Sequence, residues 1–450
     1  MKKLFGTDGI RGRANSYPIT PELALQVGKA TAMVLGAGGS GDRRRVVLGK
    51  DTRISGYMLE NALTAGMLSM GMDVLAVGPM PTPAVAHLTK SMGASCGIMI
   101  TASHNPACDN GIKIFAADGF KLPDEVELEI EKHILSPDLA EEHVACERIG
   151  KAYRIDDARG RYIEFAKSSI RNLSLRGLKI VLDCANGAAS SIAPLIFREL
   201  GAEVIEAAVH PDGLNINAGC GATHPENISR LVREHGADCG IALDGDADRV
   251  IFCDADGVEV NGDRIIGMIA LDFKRRHLLA ENTVVVTGMS NLGLHRAMKA
   301  NGIHVEVTDV GDRYVIERMR EHGFNVGGEQ SGHIIFMDYA TTGDGIISAL
   351  HVLQLMVRAN KPLNELASFM TVFPQELRSF GIGRKVPLDQ LSLLPRTMRE
   401  CAAALGDSGR TIVRYSGTEN KIRILVEAER SEHVSEWIEK LCAAAREELK

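Results

Sequence analysis

The stretch RRVVLGKDTRISGYMLENALTAGMLSMGMDVLAVG, residues 44–78, decides how the chain is read. A β-branched apolar run ends at Asp51. An alanine- and leucine-rich segment of helical texture follows and stops at Gly71, and a second apolar run closes the unit. Strand, helix of about a dozen residues ending at glycine, then strand is the pattern of a right-handed βαβ crossover. The same order returns in LKIVLDC, SSIAPLIFRELG and AEVIEA (residues 178–207) and in NTVVVTG, NLGLHRAMKANG and IHVEVTD (residues 282–309). Three such units exceed what one sheet needs, so three similar α/β domains with mixed, mostly parallel sheets are expected. Beyond residue 368 the texture changes to FPQELRSFGIG, the helix-like LPRTMRECAAALG, the alternating RTIVRYSGTENKIRILVEAE and an amphipathic close, SEHVSEWIEKLCAAAREELK. That predicts a smaller C-terminal α+β domain. The expected divisions are 1–155, 156–254, 255–368 and 369–450.

Composition agrees with a multidomain globular chain. The 450 residues are 45% apolar and 24% charged, with a formal net charge of −7. The acidic balance argues against nucleic acid or an anionic membrane as partner, because both call for a basic footprint. Lys2 and Lys3 precede no apolar stretch of signal-peptide length, and no run of about 18 apolar residues occurs, so a cytoplasmic location is expected. Nine cysteines include no CxxC pair, and most, such as Cys184 and Cys253, sit among apolar neighbours. They read as free buried thiols, not as a disulfide framework or a zinc site.

Several motifs fail their structural context. GAGGSG, Gly36–Gly41, fits GxGxxG but follows a helical segment, whereas a dinucleotide loop follows a strand. GASCG around Ser95 enters a strand, whereas a nucleophile elbow leaves one. DGDADR, Asp244–Arg249, begins like an EF-hand loop, yet Arg249 stands where glycine is needed and Ala255 where glutamate is needed.

What remains of DGDADR is three alternating carboxylates behind the apolar CGIAL. Unpaired on one face they would repel by several tenths of a kcal/mol or more, so a cation is expected among them. Oxygen ligands on a short loop suit Mg²⁺ with positions open for a phosphate oxygen, and Arg249 beside them could meet the same anion. Ser103 and His104 in GIMITASHNP, residues 97–106, stand at a strand end, where α/β sheets bind ligands. The plain alternative is a turn broken by Asn-Pro. Neighbours on an extended segment point to opposite sides, so no Ser–His dyad is expected. GGEQSGH, residues 327–333, offers Glu329, Ser331 and His333 to hydroxyls or an amine. RYSGTENKIR, residues 414–423, collects Arg414, Ser416, Gly417, Thr418 and Arg423 on a turn suited to phosphate. A plain polar hairpin is the alternative there.

Together FGTDGIRG, TASHNP, DGDADR, GEQSGH and RYSGTENKIR, in that order over the whole chain, resemble the α-D-phosphohexomutase superfamily. The resemblance implies three similar α/β domains and a fourth, smaller one around a central cleft. It implies that Ser103 carries a phosphoryl group and that Asp244, Asp246 and Asp248 hold Mg²⁺ with the Ser103 oxygen or its phosphate. Glu329 and Ser331 would contact sugar hydroxyls with His333 nearby, while Arg414, Ser416, Gly417, Thr418 and Arg423 would hold the phosphate that is not reacting. Lys113 of NGIKIF matches a family lysine placed as acid or base, and Arg11, His104 and Arg249 would line the same cleft. Gln330, between Glu329 and Ser331, is similar to the amino-sugar branch. Asn420 departs from the proline usual after SGTE.

The reaction so implied interconverts glucosamine 6-phosphate and glucosamine 1-phosphate through a 1,6-bisphosphate, which would also serve as activator, on the way to UDP-N-acetylglucosamine and cell-wall precursors. The rivals are glucose or mannose phosphate specificity, a serine phosphomonoesterase and a non-catalytic sugar-phosphate module. A monomer and a homodimer are both compatible with the sequence.

Overall fold

A computed structural model describes residues 4–6, 8–36, 44–416 and 420–449. The GAGGSG segment beyond Gly36, and Gly417 and Thr418 of the phosphate turn, lie outside the described residues.

Each repeat seen in the sequence opens a sheet of the same core order. Arg45–Lys50 lies between the parallel strands Asp73–Pro79 and Cys96–Ile100, and Asp109–Ala116 runs antiparallel on the outer side of Cys96–Ile100. Lys179–Asp183 likewise lies between Glu203–Ala207 and Cys239–Leu243, followed by antiparallel Val250–Asp254. Thr283–Thr287 lies between His304–Thr308 and Val326–Gly328, followed by antiparallel Ile334–Phe336. Edge strands extend the first sheet to six strands and the second to five, whereas the third has four. The mixed, mostly parallel sheets expected from the repeats are present, and each closes on an antiparallel hairpin that the βαβ pattern did not reveal.

Helices Ser55–Ser69, Ala193–Glu199 and Leu292–Ala300 make the first crossover of each sheet, and Thr82–Ser91, Pro225–His235 and Asp312–His322 the second. The central strands are wholly buried: Cys96–Ile100, Cys239–Leu243 and Thr283–Thr287 expose none of their residues. In the first sheet Val46, Leu48, Ile98 and Ile112 pack against Leu59, Leu63 and Val27. Each such side chain contributes about 1.5–3 kcal/mol.

The described residues up to Met289, together with Asn301–Phe369, form one compact unit, and Ser290–Ala300 with the described residues from Met370 form a second. In the second unit Lys421–Ala428 pairs antiparallel with Gln375–Gly381 and Gly409–Tyr415. Trp437, Ile438 and Leu441 of helix Ser431–Glu448 pack on Ile422, Ile424 and Val426. Helix Leu292–Ala300 is held there too. Asn291 exchanges hydrogen bonds with the Phe373 backbone at 3.0 Å each, and Leu292 N donates to Glu427 Oε1 at 2.6 Å.

All nine cysteines are free; Cys96, Cys184, Cys220, Cys239, Cys253, Cys401 and Cys442 are buried, while Cys108 and Cys146 are exposed. Among the described residues no helix is long and apolar enough to cross a membrane.

Inside the first unit, helix Ala158–Ser169 is tied to helix Gly345–Ala359 by a buried polar pair. Tyr162 Oη donates to Asp344, 2.8 Å from Oδ2, and Asp344 also caps the second helix by accepting from Ile347 N at 2.9 Å. Burial nevertheless pushes the Asp344 carboxyl up to about 6. A carboxyl raised on folding contributes stability that is complete below its ordinary value near 3.8 and is lost as pH rises through about 6. Asp344→Asn keeps an acceptor without the charge. Urea unfolding should therefore show the variant gaining on the parent between pH 4 and 6, by roughly 3 kcal/mol for a two-unit shift.

Candidate active site

The turn of each antiparallel hairpin carries one of the sequence motifs. Ser103 and His104 lie between Cys96–Ile100 and Asp109–Ala116, Asp244–Arg249 join Cys239–Leu243 to Val250–Asp254, and Glu329–His333 join Val326–Gly328 to Ile334–Phe336. All three hairpins belong to the first compact unit.

Ser103 is held in the left-handed region at φ 52°. A side-chain-bearing residue there costs on the order of 1–3 kcal/mol and persists only where its surroundings over-determine it. They do so here. Ser103 N donates to Thr101 Oγ1 at 2.9 Å, and Thr101 Oγ1 donates to Asp51 Oδ2 at 2.6 Å. Arg53, fully buried and paired with Asp51, donates to the carbonyls of Ser103, Asn105 and Pro106 at 2.9 Å each. Asn217 Nδ2, from the loop after Glu203–Ala207, reaches Ser103 O and Asn105 O at 2.9 and 3.0 Å. The turn also corrects one expectation. Because Ser103 is left-handed rather than extended, its Oγ lies 3.3 Å from His104 Nδ1.

Ser103 Oγ donates to Asp244 Oδ2 at 2.7 Å. Gly245 permits this approach, since a Cβ there would meet Ser103 O at 2.6 Å. Asp244, Asp246 and Asp248 are buried and offer ligand oxygens that all lie within 4.8 Å of one another. Asp246 Oδ1 and Asp248 Oδ1 accept no hydrogen bond among the described residues. Lys113 Nζ sits 2.9 Å from Asp246 Oδ2 and 3.2 Å from Asp248 Oδ2, and Thr82 Oγ1 donates to Asp246 Oδ2 at 2.6 Å.

The electrostatics follow from this crowding. Burial, then the carboxylates of Asp248 and Asp246, holds the Asp244 carboxyl well above its usual range. Burial would raise Asp248 as well, but Lys113 and His333 outweigh it and hold that carboxyl well below. Burial would lower the Lys113 ammonium, but Asp246, Asp8 and Asp248 hold it well above its ordinary value. His104 is brought down to about 4 by burial and by Arg249 and Arg11, so its imidazole is neutral at pH 7. All-oxygen donors, two carboxylate oxygens that accept no hydrogen bond and a carboxyl that resists ionisation beside its neighbours fit a hard divalent cation.

A second layer extends the site. Arg11 pairs with Asp8, Lys121 Nζ joins Asp8 to Asp312, and His333 lies 3.6 Å from Asp248 Oδ1 and 3.4 Å from Asp312 Oδ2. Val250 N donates to Gly332 O at 3.0 Å, which sets the turn of Glu329 and Ser331 beside Arg249. Glu329 is raised by burial, and Ser331 is exposed.

In the second unit, Arg414 and Arg423 stand directly opposite each other on antiparallel strands. Two guanidinium forks side by side in that register present donors of the geometry a phosphate accepts. Ser416 N closes the turn on Lys421 O at 2.8 Å, and Lys385 Nζ donates to Ser416 O at 2.6 Å.

Comparison with known proteins identifies the family. Residues 2–141, 160–257 and 261–373 match the phosphoglucomutase/phosphomannomutase alpha/beta/alpha domains I, II and III, and residues 378–444 match the C-terminal domain. The chain belongs to this family. Among family members it is 54% identical over 442 residues to the phosphoglucosamine mutase of Geotalea daltonii, covering 98% of this chain and 97% of that one. The phosphoglucosamine mutase of Syntrophotalea carbinolica is also 54% identical, over 95% of this chain and 94% of its own. A phosphoglucomutase/phosphomannomutase family protein from Burkholderia thailandensis shares the fold at TM-score 0.80 and 24% identity, with 98% and 97% of the two chains covered. The Aspergillus fumigatus N-acetylphosphoglucosamine mutase, solved with GlcNAc-6P and magnesium, shares it at TM-score 0.69 and 18% identity, with 99% and 96% covered.

Asp51, Arg53 and Asn217, and the pair Lys121–Asp312, were not singled out from sequence; DTR at residues 51–53 carries no local sign that its arginine turns inward. Arg53→Ala leaves the buried Asp51 without its charged partner and takes one donor from each of three carbonyls, so about 3–5 kcal/mol should be lost in urea unfolding. Asp246→Asn removes one charge from the three carboxylates that could hold a metal while keeping the shape; calorimetric titration with Mn²⁺ should show at least tenfold weaker binding.

Proposed function

We propose that the chain is an isomerase that interconverts glucosamine 6-phosphate and glucosamine 1-phosphate. The observation that carries this reading is the Ser103 Oγ, 2.7 Å from Asp244 in a pocket of three carboxylates, beside a histidine too weakly basic to activate it. Such a serine suits a phosphoryl carrier, because in the first transfer from a phosphoserine Oγ is the leaving oxygen and needs no base beside it, and in the return transfer its proton passes to the departing O6. In the proposed cycle phospho-Ser103 gives its phosphoryl group to the 1-hydroxyl of the substrate. The Ser103 Oγ–P bond breaks as the O1–P bond forms. The resulting 1,6-bisphosphate turns over and returns its 6-phosphoryl group to Ser103, leaving the 1-phosphate.

Asp244, Asp246 and Asp248 would hold Mg²⁺, which when bound supplies charge neutralisation to the transferring phosphoryl group. Lys113, kept protonated by its carboxylate neighbours, would act as a fixed charge or acid toward the same group. Arg249, Arg11 and His104 would line the entry of the phosphate. Glu329, Ser331 and His333 are assigned to the sugar, with Glu329 able to meet the ammonium of glucosamine. Arg414, Ser416, Gly417, Thr418 and Arg423 are assigned to the phosphate that is not reacting. The amino-sugar reading is supported by Gln330 and by the 54% identity to phosphoglucosamine mutases. A hexosamine 1,6-bisphosphate activator and a cytoplasmic location belong to the same proposal.

Two measurements test it. Ser103→Ala should abolish turnover and also the phosphate carried on the intact chain, as read by mass spectrometry; wild-type activity in that variant would end the phosphoserine scheme. In parallel assays the kcat/KM for glucosamine 6-phosphate should exceed those for glucose and mannose 6-phosphates by at least about tenfold, or 1.4 kcal/mol. Equal values would transfer the assignment to a general hexose phosphate mutase.

A further inference from the structure

A second cavity, of about 90 Å³, shares no lining residue with the Ser103 site. Its wall brings together Arg171, Arg276 and Arg358, with His351 of helix Gly345–Ala359 also lining it. Against these stands one lining carboxylate, Asp338, whose Oδ2 already accepts from Asn325 Nδ2 at 2.8 Å. Arg276 pairs with Asp272 at 2.9 Å, whereas Arg171 and Arg358 have no ion pair among the described residues. Asp272 acts on Arg358 as well, yet three guanidinium groups on one wall against Asp272 and Asp338 leave a positive surplus that an anion would offset.

The second observation is His351. It is 3% exposed, yet neither ring nitrogen has a hydrogen-bond partner among the described residues. Its ring stacks on Phe336 with centroids 4.7 Å apart and lies near Tyr339 and Phe273. A phenyl ring would fill that box equally well. An imidazole left unpaired there instead costs about 1–3 kcal/mol, which a polar ligand in the cavity would recover. Burial, followed by Arg276 and Arg358, pulls the imidazole down to about 3, so it is neutral and offers one N–H donor and one acceptor.

We propose that this cavity is an anion site that takes a phosphate group, either inorganic phosphate or the phosphate of a monoester, between Arg171 and Arg358 with His351 as a further hydrogen-bond partner. Guanidinium forks suit the two or three free oxygens of such a group, and 90 Å³ is several times the room one ordered water needs. The site is independent of the chemistry assigned to Ser103.

The test is a phosphate titration of the full chain carrying ring-labelled histidine, followed by NMR at constant ionic strength, with the His351 signal identified by its loss in His351→Phe. Inorganic phosphate should move the His351 resonance saturably, chloride should not, and Arg171→Gln/Arg358→Gln should weaken the effect at least tenfold. Both arginines are exposed, so the variant should keep the parent unfolding midpoint; Arg358→Gln alone replaces it if it does not. Repeating the titration with glucose 6-phosphate separates the sources: a comparable shift assigns the site to monoesters as well, and none restricts it to inorganic phosphate. A resonance that does not move, that moves equally in chloride, or that moves equally in the variant overturns the proposal.

Discussion

Three carboxylates confined within 4.8 Å of one another set the terms for the rest of the first compact unit. At an effective dielectric near 20, each pair at that separation repels by about 3–4 kcal/mol. Lys113 touches two of them and offsets part of this, and Asp244 absorbs another part by holding its proton more tightly. The pocket is therefore a place where positive charge is short, and the fold must supply rigidity enough to keep it so. That rigidity comes from backbone: Arg53 and Asn217 clamp the carbonyls of the Ser103 turn, and Gly245 lets that turn approach the aspartates closely.

The same hairpin in three sheets solves a positioning problem by repetition. Each hairpin starts from a buried parallel strand, so its turn is anchored by register on both sides, at Ile100 opposite Ile112, Leu243 opposite Val250 and Gly328 opposite Ile334. Turns so anchored differ in cargo without disturbing the sheet. One carries a serine, one a set of carboxylates, and one a glutamate with a histidine.

Much of this was legible in the sequence, for identifiable reasons. Apolar strands and glycine-terminated helices write βαβ units plainly, and all three repeats fold as such. The motif loops were visible because their composition breaks abruptly from the strands before them. The hairpin strands were less visible: Val326–Gly328 and Ile334–Phe336 are too short to show a period, and pairing between strands is a tertiary fact. Arg53 and Asn217 were hidden because they act on carbonyls, which any residue supplies. The proximity of Ser103 to His104 was misjudged because a left-handed serine cannot be foreseen from Thr-Ala-Ser-His; the strain is imposed by Thr101, Asp51 and Arg53 from outside the turn.

Helix Leu292–Ala300 connects the first two strands of the third sheet, yet its hydrogen bonds go to Phe373 and Glu427. Chain order and structural allegiance therefore diverge at this helix. The second unit is assembled from two separate stretches of chain, one lent from inside the third repeat, so it cannot be completed during synthesis as each repeat emerges in turn. The borrowed helix must wait, with its partner surface unmade, until some seventy residues after Ala300 have emerged and Phe373 arrives. Any cut placed just after Phe369 would leave the third sheet a crossover helix with nothing of its own unit to hold.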